Sequence, residues 1–137
     1  MLDTHVWIWW LTAQSPLSKA ERAALDEEAA QGGIFLSPIS MWEARVLHAK
    51  QRLQLDVPFA IWIREAASDA LLTILPMDVH VILALDNLPA SIHGDPADRL
   101  IIATAIAHGL PLATRDAAIR KSRALKLWRP GKSLAHA

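Results

Sequence analysis

The chain contains no cysteine. A disulfide scaffold, a zinc finger built on thiolates and an iron–sulfur site are therefore excluded. Long apolar runs are missing too. The longest, Val6–Leu11 and Leu100–Ala107, fall far short of the ~20 residues that a membrane span needs. The opening MLDTHV has an acid at position 3 and no basic stretch, unlike a signal peptide. His5, His48, His80, His93, His108 and His136 form no HxxxH pair, which disfavours a zinc protease. Neither GxGxxG nor GxxxxGK occurs, so no glycine-rich phosphate loop is present, and there is no GxSxG nucleophile elbow. These absences lead us to expect a protein of the cytoplasm with no membrane association.

What remains is 137 residues, 53% hydrophobic and 20% charged, a globular composition at a length that predicts one domain. Fourteen basic and fourteen acidic residues cancel, but unevenly along the chain. Residues 53–114 carry two basic and seven acidic groups, whereas residues 115–137 carry seven basic groups and only Asp116 as an acid. A basic end of this kind suits a polyanion, or equally a solvated helix face.

Punctuation along the chain predicts alternating short strands and helices. Met1–Asp3 reads as a strand stub, followed by a helix Thr4–Leu11 that is apolar all round and broken by Gln14-Ser15-Pro16. Ser18-x-x-Glu21 is a capping box for a helix to about Gln31, stopped by Gly32-Gly33. Ile34–Leu36 reads as a strand, and Ser37-Pro38 opens a helix to about Lys50. Further helices are expected at Phe59–Ser68, Val79–Asp86 and Pro96–His108, with a helical turn at Asp116–Lys121. Strands are expected at Leu71–Leu75, Leu110–Thr114 and Leu125–Trp128. Apolar strands separated by helices indicate a three-layer α/β/α domain with a short, mainly parallel central sheet, here over residues 1–129, and a disordered tail at 130–137.

Ligands of such sheets bind beyond the carboxyl ends of the strands. Asp3 ends the first strand, and Asp116 follows the strand LPLAT. Each is also a natural helix cap. Glu43 lies four residues from both Ile39 and Leu47, on the apolar stripe that Trp42 and Val46 extend, where an unpaired carboxylate is costly. Asp98 heads the stripe of Ile101, Ile102 and Ala105, with Asp95 one turn earlier as the cap. Four carboxylates at one sheet edge repel one another unless a cation sits among them, and an all-oxygen set suits Mg²⁺ or Mn²⁺. Metal-assisted phosphoryl or phosphodiester chemistry is the class that survives these exclusions.

The segments LDTHVWIWW, SPISMWEARVL and DPADRLIIATAIAHGLPLATRD resemble the PIN-domain ribonucleases, and most of all the VapC toxins of bacterial type II toxin–antitoxin modules. The likeness spans about residues 2–128. It implies that Asp3, Glu43, Asp98 and Asp116 are catalytic and bind metal, with Thr4, Asp95 and Thr114 in support. It implies Mg²⁺-dependent, or Mn²⁺-dependent, hydrolysis of RNA. It also implies a VapB-like antitoxin that places a basic side chain in the acidic site, and a homodimer. Only Met1 and Leu2 precede Asp3, a short lead for a central strand, so a natural start upstream is one expectation. From the charge pattern, Arg115, Arg120, Lys121 and Arg123 are the expected RNA-binding residues, with Arg115 also able to pair with Asp116. Helix Val6–Leu11, with three tryptophans, and the cluster Phe59, Ile61, Trp62 and Ile63 are the expected interfaces.

Other readings compete. One is a catalytically silent binding module of the same fold, which four retained acids argue against. A second is a DNA nuclease of the same superfamily. A haloacid-dehalogenase-like phosphatase needs DxDx[TV], but position 5 is His.

Overall fold

Helix starts in this chain are written by side chains that accept a backbone N–H. In the computed structural model, which describes residues 1–12, 16–92 and 94–130, six helices begin on such a cap. They are α1 (Thr4–Trp10) on Asp3, α2 (Lys19–Ala30) on Ser18, α3 (Pro38–Ala49) on Ser37, α5 (Val79–Asp86) on Asp78, α6 (Pro96–Ala107) on Asp95 and α7 (Ala117–Arg120) on Asp116. Helix α4 (Phe59–Ala66) instead follows Pro58 and has no side-chain cap. The capping box of Ser18 and Glu21 forms in full.

The sheet is more frugal than expected. Its regular strands among the described residues are β1 (Phe35–Leu36) and β2 (Thr73–Ile74), paired in parallel. The strands expected at Leu110–Thr114 and Leu125–Trp128 shrink to single parallel bridges, Leu2 with Ala113 and Leu112 with Leu127. Backbone hydrogen bonds still carry the pattern across. Leu2 N donates to Phe35 O at 3.0 Å, Ala113 N to Met1 O at 2.9 Å, and Leu112 N to Lys126 O at 2.8 Å. The order is therefore residues 73–74, 35–36, 1–3, 112–113 and 126–128, with residues 1–3 at the centre.

Side chains alternate across this sheet, as pleating requires. Leu2, Ile34, Leu36, Leu72 and Ala113 join one core with Trp7, Trp10 and Trp62, under α1, α2 and α4. Met1, Leu75 and Leu112 join a second core with Val81, Ile101 and Ile102, under α5 and α6. Two cores on two faces give the expected α/β layering.

Of the residues expected at interfaces, Trp7, Trp10 and Trp62 enter the core, while Trp9, Phe59 and Ile63 stay half-buried. Trp7 and Trp10 are buried and hydrogen-bonded, Trp7 Nε1 to Ala66 O at 2.9 Å and Trp10 Nε1 to Asp26 Oδ1 at 2.8 Å. Trp62 is buried against Trp7, with ring centroids 5.3 Å apart, while Ile61 stays exposed. Trp42, expected on the buried stripe of α3, is 58% exposed. Exposed apolar side chains also gather on α5, at Val79, Ile82 and Leu83, with Val57 and Met77 elsewhere. No helix among the described residues is long and apolar enough to cross a membrane. Of the tail expected at 130–137, residues 131–137 lie outside the described residues, as do part of the break at 13–15 and His93.

Candidate metal centre

Asp3 ends the central strand and starts α1, so strand pairing and helix capping both fix it. Its Oδ1 accepts from Thr4 N at 2.7 Å and its Oδ2 from the Thr114 hydroxyl at 2.7 Å. Thr114 Oγ1 in turn accepts from Asp116 N at 3.1 Å. Asp116 caps α7 by accepting from Ile119 N at 3.0 Å. Two acids from the two sides of one backbone bridge are thus linked through one threonine.

Thr4 makes the matching link to α3. Its hydroxyl donates a short hydrogen bond to Glu43 Oε1 and lies 2.8 Å from Ser40 Oγ. Glu43 sits in the second turn of a helix begun by Ser37 and Pro38 and is half-buried. Ser40 was not expected at the site. It reads in sequence as a possible cap for Glu43, but its side chain turns to Thr4.

The remaining acids come from the start of α6. Asp95 accepts from Asp98 N at 2.8 Å, so the cap and the third residue of the helix face the same way. Carboxylate oxygens of Glu43, Asp95 and Asp98 lie within 4.8 Å of one another. Asp95, expected only in support, therefore belongs to the cluster itself. Gly94 lets this happen. It has φ +144°, and a Cβ there would lie 3.2 Å from Asp98 Cβ, a tight approach.

The electrostatics are those of crowded acids. Asp98 is pushed up to about 7, first by burial and then by the charges of Asp95, Asp3, Glu43 and Asp116. Burial raises Asp3, against the hydrogen bonds from Thr114 and Thr4, with Asp116 adding to the rise. Burial raises Glu43 as well, against its bond from Thr4 and helped by the charges of Asp95 and Asp3. His5 draws both of these acids down by less. Among the described residues the ion pair present is elsewhere, between Arg115 and Glu21. The donor set is thus all oxygen, hard and negatively charged, with no Lys or Arg ion pair to these acids among the described residues. It fits a divalent cation of the Mg²⁺ or Mn²⁺ kind.

A model of the PIN domain matches residues 1–125. The chain belongs to the PIN-domain family. It is 38% identical over 124 residues to Ribonuclease VapC22 of Mycobacterium tuberculosis, covering 90% of this chain and 91% of that protein. In this chain a parallel bridge and Thr114 link residues 3 and 116, and α3 and α6 bring Glu43, Asp95 and Asp98 together.

The basic residues sort differently from the acids. Arg115 does not pair with Asp116. Its guanidinium binds Glu21 of the α2 capping box, 94 residues away in sequence. Arg120 reaches back from α7, its Nη1 donating to Thr114 O at 2.9 Å. Lys121 and Arg123 are exposed. A tertiary partner such as Glu21 leaves no local signal, because nothing near Arg115 in the chain announces it.

Proposed function

We infer that this PIN-domain chain is a divalent-cation-dependent endoribonuclease, the toxin of a toxin–antitoxin pair, acting in the cytoplasm through one domain over residues 1–129. The observation that carries the reading is the cluster of Glu43, Asp95 and Asp98 beside Asp3 and Asp116, five acids on four elements at one sheet edge. Its likeness to a protein named a ribonuclease supports RNA as the substrate.

Asp3, Glu43, Asp98 and Asp116 are the catalytic and metal-binding residues in this reading. A cation bound there, Mg²⁺ or Mn²⁺, supplies charge to offset the phosphate and makes a nearby water more acidic. Hydrolysis adds water across a P–O bond: the water oxygen joins phosphorus, and the leaving oxygen takes a proton. The protein's part is positional. Thr4 and Thr114 each hold carboxylate oxygens in one orientation, so little reorganisation accompanies cation binding. Without a cation the cluster repels phosphate, which makes binding of RNA at the acids conditional on it.

A VapB-like antitoxin fits the same charge logic, since one basic side chain placed among the acids silences them. Two copies of the chain pairing across the α5 surface of Val79, Ile82 and Leu83 would cover its exposed apolar residues. The test is cleavage of RNA and of single-stranded DNA by purified protein. RNA should be cut with Mg²⁺ or Mn²⁺ and left intact in EDTA, and Asp98→Asn should be inactive. Cutting that persists in chelator, or that Asp98→Asn leaves at the wild-type rate, rejects the reading. Preference for DNA favours the related DNA nuclease.

A further inference from the structure

A cavity of about 550 Å³, lined by Val6 of α1 and Glu21 of α2, shares Thr114 with the acid site. Arg115, Arg120 and Arg129 line it, with Thr114, Trp128 and Glu21. Thr114 is the shared wall. Its hydroxyl orients Asp3, and its carbonyl receives Arg120. Arg115 and Asp116 are consecutive, so the cavity begins one residue from the acids.

We propose that this cavity binds a backbone phosphate of single-stranded RNA adjoining the one at the acid cluster, and that Glu21 opposes its entry. The proposal rests on the ribonuclease reading above for the identity of the polymer. The three arginines differ in availability. Arg120 is tethered to Thr114 O, and Arg115 is neutralised by Glu21, whereas Arg129 is exposed and has no hydrogen-bond or ion-pair partner among the described residues. Arg129 is thus the first contact for a phosphate. Arg115 becomes available only when the phosphate displaces the Glu21 carboxylate, because one guanidinium fork serves one carboxylate or one phosphate well. Glu21 therefore sets the affinity without touching the reacting atoms. The apolar neighbours Val6 and Leu17 give the cavity a floor for ribose or base.

Glu21→Gln isolates this role. Glutamine also serves the third position of a capping box, so α2 keeps its start while the negative charge goes. The experiment measures binding of a short fluorescent single-stranded RNA to Asp98→Asn protein across a salt series, alone and combined with Glu21→Gln or Arg129→Ala. Wild-type, Glu21→Gln and Arg129→Ala proteins give kcat and KM on the same RNA. Arg129→Ala should weaken binding by roughly tenfold and reduce the salt slope by about 0.7. It should raise KM more than it lowers kcat. Glu21→Gln should tighten binding several-fold and lower KM. Unchanged affinity and slope in Arg129→Ala, or weaker binding in Glu21→Gln, overturns the proposal. If wild-type protein cuts RNA normally while both variants bind like the parent, the cavity assignment fails and the ribonuclease reading stands. If wild-type protein cuts no RNA but the variants shift binding as stated, the cavity holds and the catalytic reading fails.

Discussion

The two halves of the acid cluster are built in opposite ways. Asp3 is 7% exposed, and both of its oxygens are committed to Thr4 and Thr114. Asp95 is exposed and Asp98 half-exposed; their mutual contact is a backbone N–H, and Asp98 is pushed up to about 7. One half is held by hydrogen bonds, and the other stands under repulsion. The committed half gives a fixed frame of reference. The repelling half stores an unfavourable charge arrangement that a cation relieves, which is how binding energy and orientation come from different residues of one site.

The comparison breaks most visibly at Asp98. Asp98→Asn should abolish cleavage, by on the order of a hundredfold or more, since loss even of outer-shell partners costs 10–100-fold. It should also raise the melting temperature of the cation-free protein, because one like charge is gone. A lower melting temperature would show that Asp98 is held by bonds after all.

Thr114→Val attacks the committed half. It removes a buried donor to Asp3 and the acceptor for Asp116 N. Stability should fall by about 1–3 kcal/mol, and activity by about 10–100-fold. Chemical denaturation and RNA cleavage read the two effects, and a variant as stable as wild type would deny the frame its role.

The pH dependence sharpens the contrast further. The Asp98 carboxyl sits near 7 in the folded protein, above its ordinary value of 3.8, so between these pH values the folded state holds a proton that the unfolded state has lost. Cation-free protein should therefore lose stability as pH rises from about 4 to about 7. Saturating Mg²⁺ should flatten this trend. Melting curves over that range, with and without the ion, check it; a flat cation-free profile would remove the repulsion argument.

The smallest effect is expected far from both halves. Val79→Ser with Leu83→Ser on α5 should change monomer stability by no more than about 0.5 kcal/mol per site, as at ordinary surface positions. Light scattering should nonetheless show a dimer weakened. An unaffected dimer would place the interface elsewhere.

Legibility followed sequence range. Asp3, Ser37-Pro38 and Asp95-Pro96 announce helix starts through the adjoining residues, and the structure begins helices at each. The clustered acids Glu43, Asp95 and Asp98 sit at or within two turns of two of those starts. Contacts between distant segments were not legible. Glu21 gives no hint of Arg115, and Ser40 reads as a local cap while it serves Thr4. The helical wheel of α3 put Trp42 and Glu43 on one apolar face. The packed structure exposes the tryptophan and half-buries the acid, because the hydroxyl of Thr4 provides the partner that makes burial tolerable. Strands faded to bridges because parallel pairing needs only a few hydrogen bonds when both faces are already covered.

The threonine that orients Asp3 lies 111 positions later in the chain. Closing that loop is among the most entropically demanding steps available to a chain of this size, and contacts of such range slow folding. During synthesis Asp3 leaves the ribosome well before its partner, which follows 111 residues later. A nascent or half-folded chain thus carries every early acid of the cluster with no frame to set them in. The frame for Asp3 is complete only once residues 112–114 dock beside residues 1–3.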